Sequence, residues 1–251
     1  MKLFSDKNRP VHMGQYPTER LKRVDTVDLN SAPVMNALSF RRPDAPENIV
    51  NAMGEYQAML DAIRDGLINK TLADIPFDPI ERANHIKGFG YFSDASMIGI
   101  CRLDDGAILD IPIQNPDIER LADALRTRQT KTLASGIDMI MADLKDSMEA
   151  PPTTIDGHTH AIVFLYENPR DFMPDEPGVD WLEHAHAHRA CLRASETAVV
   201  ISNYIRLLGY DAKSHSGAAS DVDLNKLALA AGLVWVDQGE LIATYVGKNF
   251  G

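Results

Sequence analysis

The sequence predicts an α/β (α+β) fold in which helices cover a sheet. Three observations carry that expectation. Stretches with an apolar residue at every third or fourth position alternate with two short, continuously apolar runs. Clusters of Gly, Pro and Asp punctuate the boundaries between them. The composition, 45% hydrophobic and 24% charged over 251 residues, is that of an ordinary globular chain long enough to bury a substantial core.

The elements follow in order. Residues 1–47 carry Pro10, Pro17, Pro33, Pro43 and Pro46 and read as an extended arm, and residues 48–251 read as one domain. Ile49, Met53, Tyr56, Leu60, Ile63 and Leu67 form a helical stripe over residues 47–69, which Pro76 and Pro79 bring to an end. A short helix is expected over 80–87. Residues 96–103 (SMIGICRL) read as a buried strand, with Asp104, Asp105 and Gly106 as the turn after it. A helix over 117–149 uses Ile118, Leu121, Leu125, Leu133, Ile137, Ile140, Met141 and Leu144, and Pro151 and Pro152 stop it.

After an Asp156-Gly157 turn, residues 160–166 (HAIVFLY) read as the second buried strand. The clearest helix spans 181–208, on Ala187, Cys191, Ala194, Ala198, Ile201, Ile205 and Leu208. Its small residues suit close approach of another backbone, and Gly209 ends it. A strand over 210–214 is expected next. Ser220 with Asp223 fits a capping box ahead of a short helix over 224–231, and Gly232 closes that helix.

The net charge of −11, with no basic run, excludes nucleic acid as a partner. Cys101 and Cys191 are the only two cysteines, which rules out a disulfide framework, a thiolate zinc site and an iron–sulfur cluster held by this chain alone. The polar start is no secretory signal, and Arg41-Arg42 runs into Pro43-Asp44-Ala45-Pro46 rather than an export-type apolar stretch. The longest apolar run, residues 227–236, is far shorter than the roughly 20 residues that span a bilayer. No membrane association and a cytoplasmic location are therefore expected.

His184 and His188 share a helical face at a spacing that suits a divalent metal, and His158 and His160 lie in a loop that offers further ligands. Positions 185–187 read Ala-His-Ala, so the H-E-x-x-H signature is absent. A histidine flanking an apolar stripe is more often a hydrogen-bonded rim residue, and no metal is expected. Gly88-Phe89-Gly90 lacks the third glycine of a dinucleotide fingerprint, and no G-x-S-x-G elbow exists. Arg41 and Arg42 suit an anionic group such as a flavin phosphate, although a solvated pair is the commoner role. Asp104-Asp105 and Asp221/Asp223 are explained by turns and caps. No catalytic residue is assigned.

The end of the chain carries the most specific signal. Residues 204–212 (YIRLLGYDA), 214–216 (SHS), 227–233 (LALAAGL) and 239–242 (GELI) occur in an order that resembles the corrinoid-binding half of reductive dehalogenases and of the related epoxyqueuosine reductases. Upstream, residues 89–103 and 160–164 are similar to two strands of those families, so the resemblance covers about residues 85–251. It implies a nitroreductase-like, corrinoid-module-like fold, with Ser214, His215, Ser216, Gly232 and Gly239 as the cofactor-binding candidates.

The departures are as specific as the matches. The family phrase Gly-Leu-Gly-Glu-x-Gly-Arg reads here Gly232-Leu233-Val234-Trp235-Val236-Asp237-Gln238, so side chains fill space that glycine leaves to a ligand. The family's catalytic tyrosine and its basic partner match no residue. The resemblance thus implies a degenerate copy of the cobalamin-binding module from a catabolic, cytoplasmic reductive dehalogenase. Such a copy is non-catalytic, is expected to hold no cofactor alone, and packs against a catalytic corrinoid and iron–sulfur module or, alone, against itself as a homodimer. Two alternatives stand beside it. One is a stand-alone cobalamin- or FMN-binding reductase using Arg41, Arg42 or residues 214–217, and the other is a metal-dependent hydrolase built on the histidines.

Overall fold

The computed structural model describes residues 27–128, 154–168, 173 and 175–251. Within them the helices are α1 (Val50–Ala62), α2 (Pro79–Phe92), α3 (Asp117–Arg128), α4 (Val179–Leu182), α5 (Ala185–Leu207) and α6 (Leu224–Ala230). The strands are β1 (Met97–Arg102), β2 (Ile108–Ile113), β3 (His160–Leu165), β4 (Ser220–Val222), β5 (Val234–Asp237) and β6 (Glu240–Ala243). The mixed helix and sheet class expected from the sequence is observed. The sheet itself is different: the described strands form three separate antiparallel pairs, β1 with β3, β2 with β4, and β5 with β6.

The two apolar runs pair with each other, Met97 opposite Leu165 through to Arg102 opposite His160. One face of that ribbon packs on α6 and the start of β5, where Met97, Leu165, Leu229, Leu233 and Val234 make the main core cluster. Contact there is close at Gly99, where a Cβ would sit 2.7 Å from the Ala231 Cβ. That is why a glycine interrupts an apolar strand. Beyond β3 the C-terminus closes the ribbon, with Tyr166 N–H donating to the Gly251 carbonyl at 2.8 Å and Gly251 N–H donating back at 2.9 Å.

Helix α1 is shorter than its stripe and buries another face. Val50, Gly54, Gln57, Ala58 and Asp61 face inward, whereas Tyr56 and Met59 are exposed. Gln57 Nε2 donates to Ser195 Oγ of α5 at 2.9 Å, so hydrogen bonding decides which side packs. The helix stops at Ala62 because the chain after it serves the end of α5. Asn69 N–H donates to the Arg206 carbonyl at 3.0 Å and Ala73 N–H to the Leu208 carbonyl at 2.9 Å, which satisfies carbonyls that a helix end leaves open. Leu67, the last residue of the expected stripe, is 97% exposed.

Other boundaries moved as well. Helix α2 continues through Gly88 and Gly90 to Phe92, well past the expected short helix. The helix expected over 181–208 is broken at His184, whose φ of 55° is left-handed, and α5 starts after it. Of the helix expected over 117–149, residues 129–149 lie outside the described residues, as do residues 1–26 of the expected arm. The arm's described part is tied down at Leu38, whose N–H donates to the Gly217 carbonyl at 2.8 Å, and at Phe40, which is buried against Val50, Ala185 and Cys191.

The strand expected over 210–214 is absent. Its backbone groups bond to arginines and their neighbours instead, and the local strand is β4. Ser220 lies in β4, its hydroxyl donating to the Val222 carbonyl at 2.6 Å. Asp223 alone caps α6, accepting from Asn225 N–H at 3.0 Å and Lys226 N–H at 3.1 Å.

Candidate functional site

The long helix delivers the chain to a loop of concentrated charge. Arg206, in the last turn of α5, is buried and donates from Nη1 to the Ala212 carbonyl at 2.7 Å and to the Arg64 carbonyl at 3.3 Å. Ser214 N–H donates to that Arg64 carbonyl at 3.0 Å. Residues 210–217 are thereby laid across the end of α1. Lys213, its side chain only 2% exposed, reaches Asp221 Oδ2 at 2.5 Å and lies 3.8 Å from Asp65. Arg64 Nη2 meets Asp221 Oδ1 at 3.0 Å. Burial alone would raise the Asp221 carboxyl, but the Lys213 hydrogen bond and the Arg64 charge hold it below its ordinary value.

His215 sits inside this cluster. Its Nδ1 accepts the Asp221 N–H at 3.3 Å. Burial pushes the imidazole down to about 4, with Asp221 opposing and Arg64 and Lys213 adding to the shift. Beside it is a second polar knot. Asp61 accepts from Gln57 Nε2 at 2.9 Å, Asn115 Nδ2 at 2.8 Å and Ser216 Oγ at 2.8 Å. Burial raises its carboxyl despite the three donors. Ser216 Oγ in turn accepts the Ala218 and Ala219 N–H groups.

Above the loop lies a cavity of about 660 Å³, within the range of small-molecule sites. One wall is the small-residue face of α5, with Cys191, Ala194, Ala198 and Ile201, and the opposite wall is β3. The small residues of α5 thus line the cavity and also admit a neighbouring backbone, since a Cβ on Gly251 would sit 3.0 Å from the Ala190 Cβ and 3.4 Å from the Cys191 nitrogen. Burial pushes the Cys191 thiol up to about 11, which keeps it protonated and unreactive at neutral pH.

The candidate residues divide. Ser214, His215 and Ser216 line the cavity, together with His158 and His160. Gly232 and Gly239 do not: Gly232, at φ 70°, ends α6, and Gly239, at φ 81°, follows Gln238, at φ 51°, in the two-residue turn joining β5 to β6. Both glycines are needed by the backbone itself. The residues expected to fill ligand space are also elsewhere, since Val234, Trp235 and Asp237 do not line the cavity. Val234 is in the core and Trp235 is 45% exposed.

His184 and His188 are not brought together as ligands. His184 faces Glu183 at the surface, and both ring nitrogens of His188 lie 2.9 Å from carbonyl oxygens, of His184 and of Ser39. His158 Nε2 lies 3.2 Å from Asp211 Oδ2. No group of three metal-ligating side chains occurs among the described residues. Arg41 and Arg42 do not line the cavity, and the Arg42 N–H donates to Asn51 Oδ1 at 2.8 Å. Nothing local in the sequence marks Arg64 or Lys213, and Asp221, expected as a turn or cap residue, pairs with both. Only Gln57 and Asp61, four apart on the face shared with Gly54 and Ala58, left a local trace.

No family model and no curated protein matches this chain. Solved structures do. The catabolic reductive dehalogenase NpRdhA superposes with a TM-score of 0.70 at 31% identity over 100% of this chain. The same enzyme in complex with 3-bromo-4-hydroxybenzoic acid gives 0.71 at 31% identity. A reductive dehalogenase structure described as suggesting a mechanism for B12-dependent dehalogenation gives 0.69 at 31% identity. This chain is related to the reductive dehalogenases. It spans 29% of the length of the first of these structures and 30% of the second. Among the described residues, no helix is long and apolar enough to cross a membrane.

Proposed function

We propose that this chain is a non-catalytic, vestigial cobalamin-binding module of the catabolic reductive dehalogenase type. It is a cytoplasmic scaffold that packs against a corrinoid- and iron–sulfur-bearing catalytic module. The observation that carries the reading is the state of the candidate loop. The Ser214 and Ser216 hydroxyls, His215 Nδ1 and the Lys213 ammonium all have partners within the protein. Of the five cofactor-binding candidates, the two glycines serve a helix end and a hairpin turn. A corrinoid or flavin phosphate needs donors that are free to turn outward, and these residues do not fit either group. Binding one there would require breaking a buried ion cluster, which costs several kcal/mol.

The cavity of about 660 Å³ favours the rival reading, a stand-alone corrinoid- or FMN-binding reductase. Absorption titrations of the purified chain with hydroxocobalamin and with FMN separate the two. The scaffold reading expects spectra that are the sum of the free components up to high micromolar ligand. A saturable, stoichiometric shift of either spectrum would defeat it and support the reductase.

A further inference from the structure

Helical spacing places Arg189, Arg193, Glu196, Val200, Tyr204 and Leu207 in one line along α5, at intervals of four, three, four, four and three. Val200 is 47%, Tyr204 44% and Leu207 61% exposed, so the C-terminal half of this ridge is an uncovered apolar face. The surface around it extends the patch. Leu72 lies against the Gly209 backbone and is 65% exposed, and Phe89 of α2 stacks on Tyr204 at 5.8 Å. An exposed apolar surface of this kind on a soluble domain marks an interaction site.

The charges beside the ridge say what fits it. Its N-terminal half carries Arg189, then Arg193, which pairs with Asp94 at 3.2 Å and lies over the Tyr166 ring, and exposed Glu196 next to Val200. Its C-terminal end borders the segment held by the Ala73–Leu208 hydrogen bond, which carries exposed Asp74, Asp78 and Glu81. We propose that this face pairs with the same face of a second copy of the chain, α5 crossing α5 antiparallel about a two-fold axis near Val200. With about 1.5 Å of rise per residue, Arg193 and Leu207 lie about 10 Å on either side of that axis.

Each copy then sets its apolar Val200–Tyr204–Leu207 half on the aliphatic stems of the other's arginines. Arg189 is brought to the partner's helix C-terminus and its acidic border, where a cation is favoured. A parallel pairing sets arginine on arginine and acid on acid. The face is self-complementary only in the antiparallel sense, as an isologous two-fold contact requires. This pairing stands independently of whether the cavity holds a cofactor.

Sedimentation velocity on the full chain, from low to high micromolar, tests it. Wild type should sediment as a dimer that dissociates on dilution. Val200→Glu with Leu207→Glu should raise the dissociation constant by about a hundredfold or more, as expected when two central interface side chains are lost. Both side chains are exposed in the monomer, so the thermal melting curve of the dissociated protein should not change. Arg189→Glu, at a position with no core contact, should weaken the dimer in the same direction and make it less sensitive to salt. A strict monomer throughout the range overturns the proposal, as does a dimer that survives the Val200/Leu207 substitutions. A chain that remains monomeric until a corrinoid-loaded reductive dehalogenase polypeptide is added also overturns self-pairing, and assigns the face to that partner.

Discussion

Replacing Asp221 by asparagine keeps its shape and removes its charge, which leaves Lys213 and Arg64 facing each other without the carboxylate between them. Both cationic side chains are nearly sequestered, at 2% and 8% exposure, and Asp221 itself is 12% exposed. Removing one member of a buried ion cluster costs about 3–5 kcal/mol, mostly the penalty of the charges left behind. Lys213 keeps Asp65 at 3.8 Å and asparagine still accepts a hydrogen bond, so the lower end, about 3 kcal/mol, is expected. For a chain of this length that corresponds to a fall in Tm of roughly 6–12 °C.

Urea denaturation followed by circular dichroism, at neutral pH and again in acid, measures the difference. The sign follows from the carboxyl being held below its ordinary value of 3.8 in the folded protein. Its stabilisation is complete above that value and is lost as pH falls through the folded value. Wild type and Asp221→Asn should therefore differ fully at neutral pH and converge in strong acid. A loss under about 1 kcal/mol at neutral pH, or a gap that does not depend on pH, would show that the cluster does not hold the loop as described.

Two further outcomes follow from the same geometry. His215 is held neutral, pushed down to about 4 by burial, so the unfolded chain binds more protons between its ordinary value near 6.5 and about 4. Relative to His215→Gln, wild type should lose about 2–3 kcal/mol as pH falls across that window, read from urea midpoints in a pH series. Asp61, raised by burial, acts in the opposite sense in both proteins and cancels in the comparison. Gly99→Ala should destabilise by about 1–3 kcal/mol, because its Cβ would press on Ala231 at 2.7 Å. Differential scanning calorimetry giving an unchanged Tm would show that β1 and α6 have room to separate.

Much of the element order was legible in the sequence for a local reason. Residues 97–101 and 161–165 are continuously apolar, and such runs seek burial wherever the chain takes them, so both formed strands and paired. Gly209 and Gly232 end helices because a left-handed residue is needed there, and the chain carries a glycine at each point. Periodicity failed at α1 because the face that packs on α5 is joined by Gln57 and Asp61, and a hydrophobic pattern does not detect burial by hydrogen bonds. The strand expected over 210–214 failed for a related reason, since its backbone partners are the carbonyl of Arg64 and the side chain of Arg206.

By itself, then, the sequence determined the helix-and-strand class, the two apolar strands, the long helix and a lineage resemblance to reductive dehalogenases that the structural likeness supports. Each rests on neighbours in the chain or on ordered local phrases. Only the tertiary structure decided that Arg64, Lys213, His215 and Asp221 meet, across as many as 157 positions, and lock the loop over residues 210–217. It also moved Trp235 out to the surface and left an open cavity against α5. The physical reason is the same in each case. A charge or a small side chain has no preferred partner until packing removes the water around it, and which groups lose their water together is set by how distant segments are brought into contact.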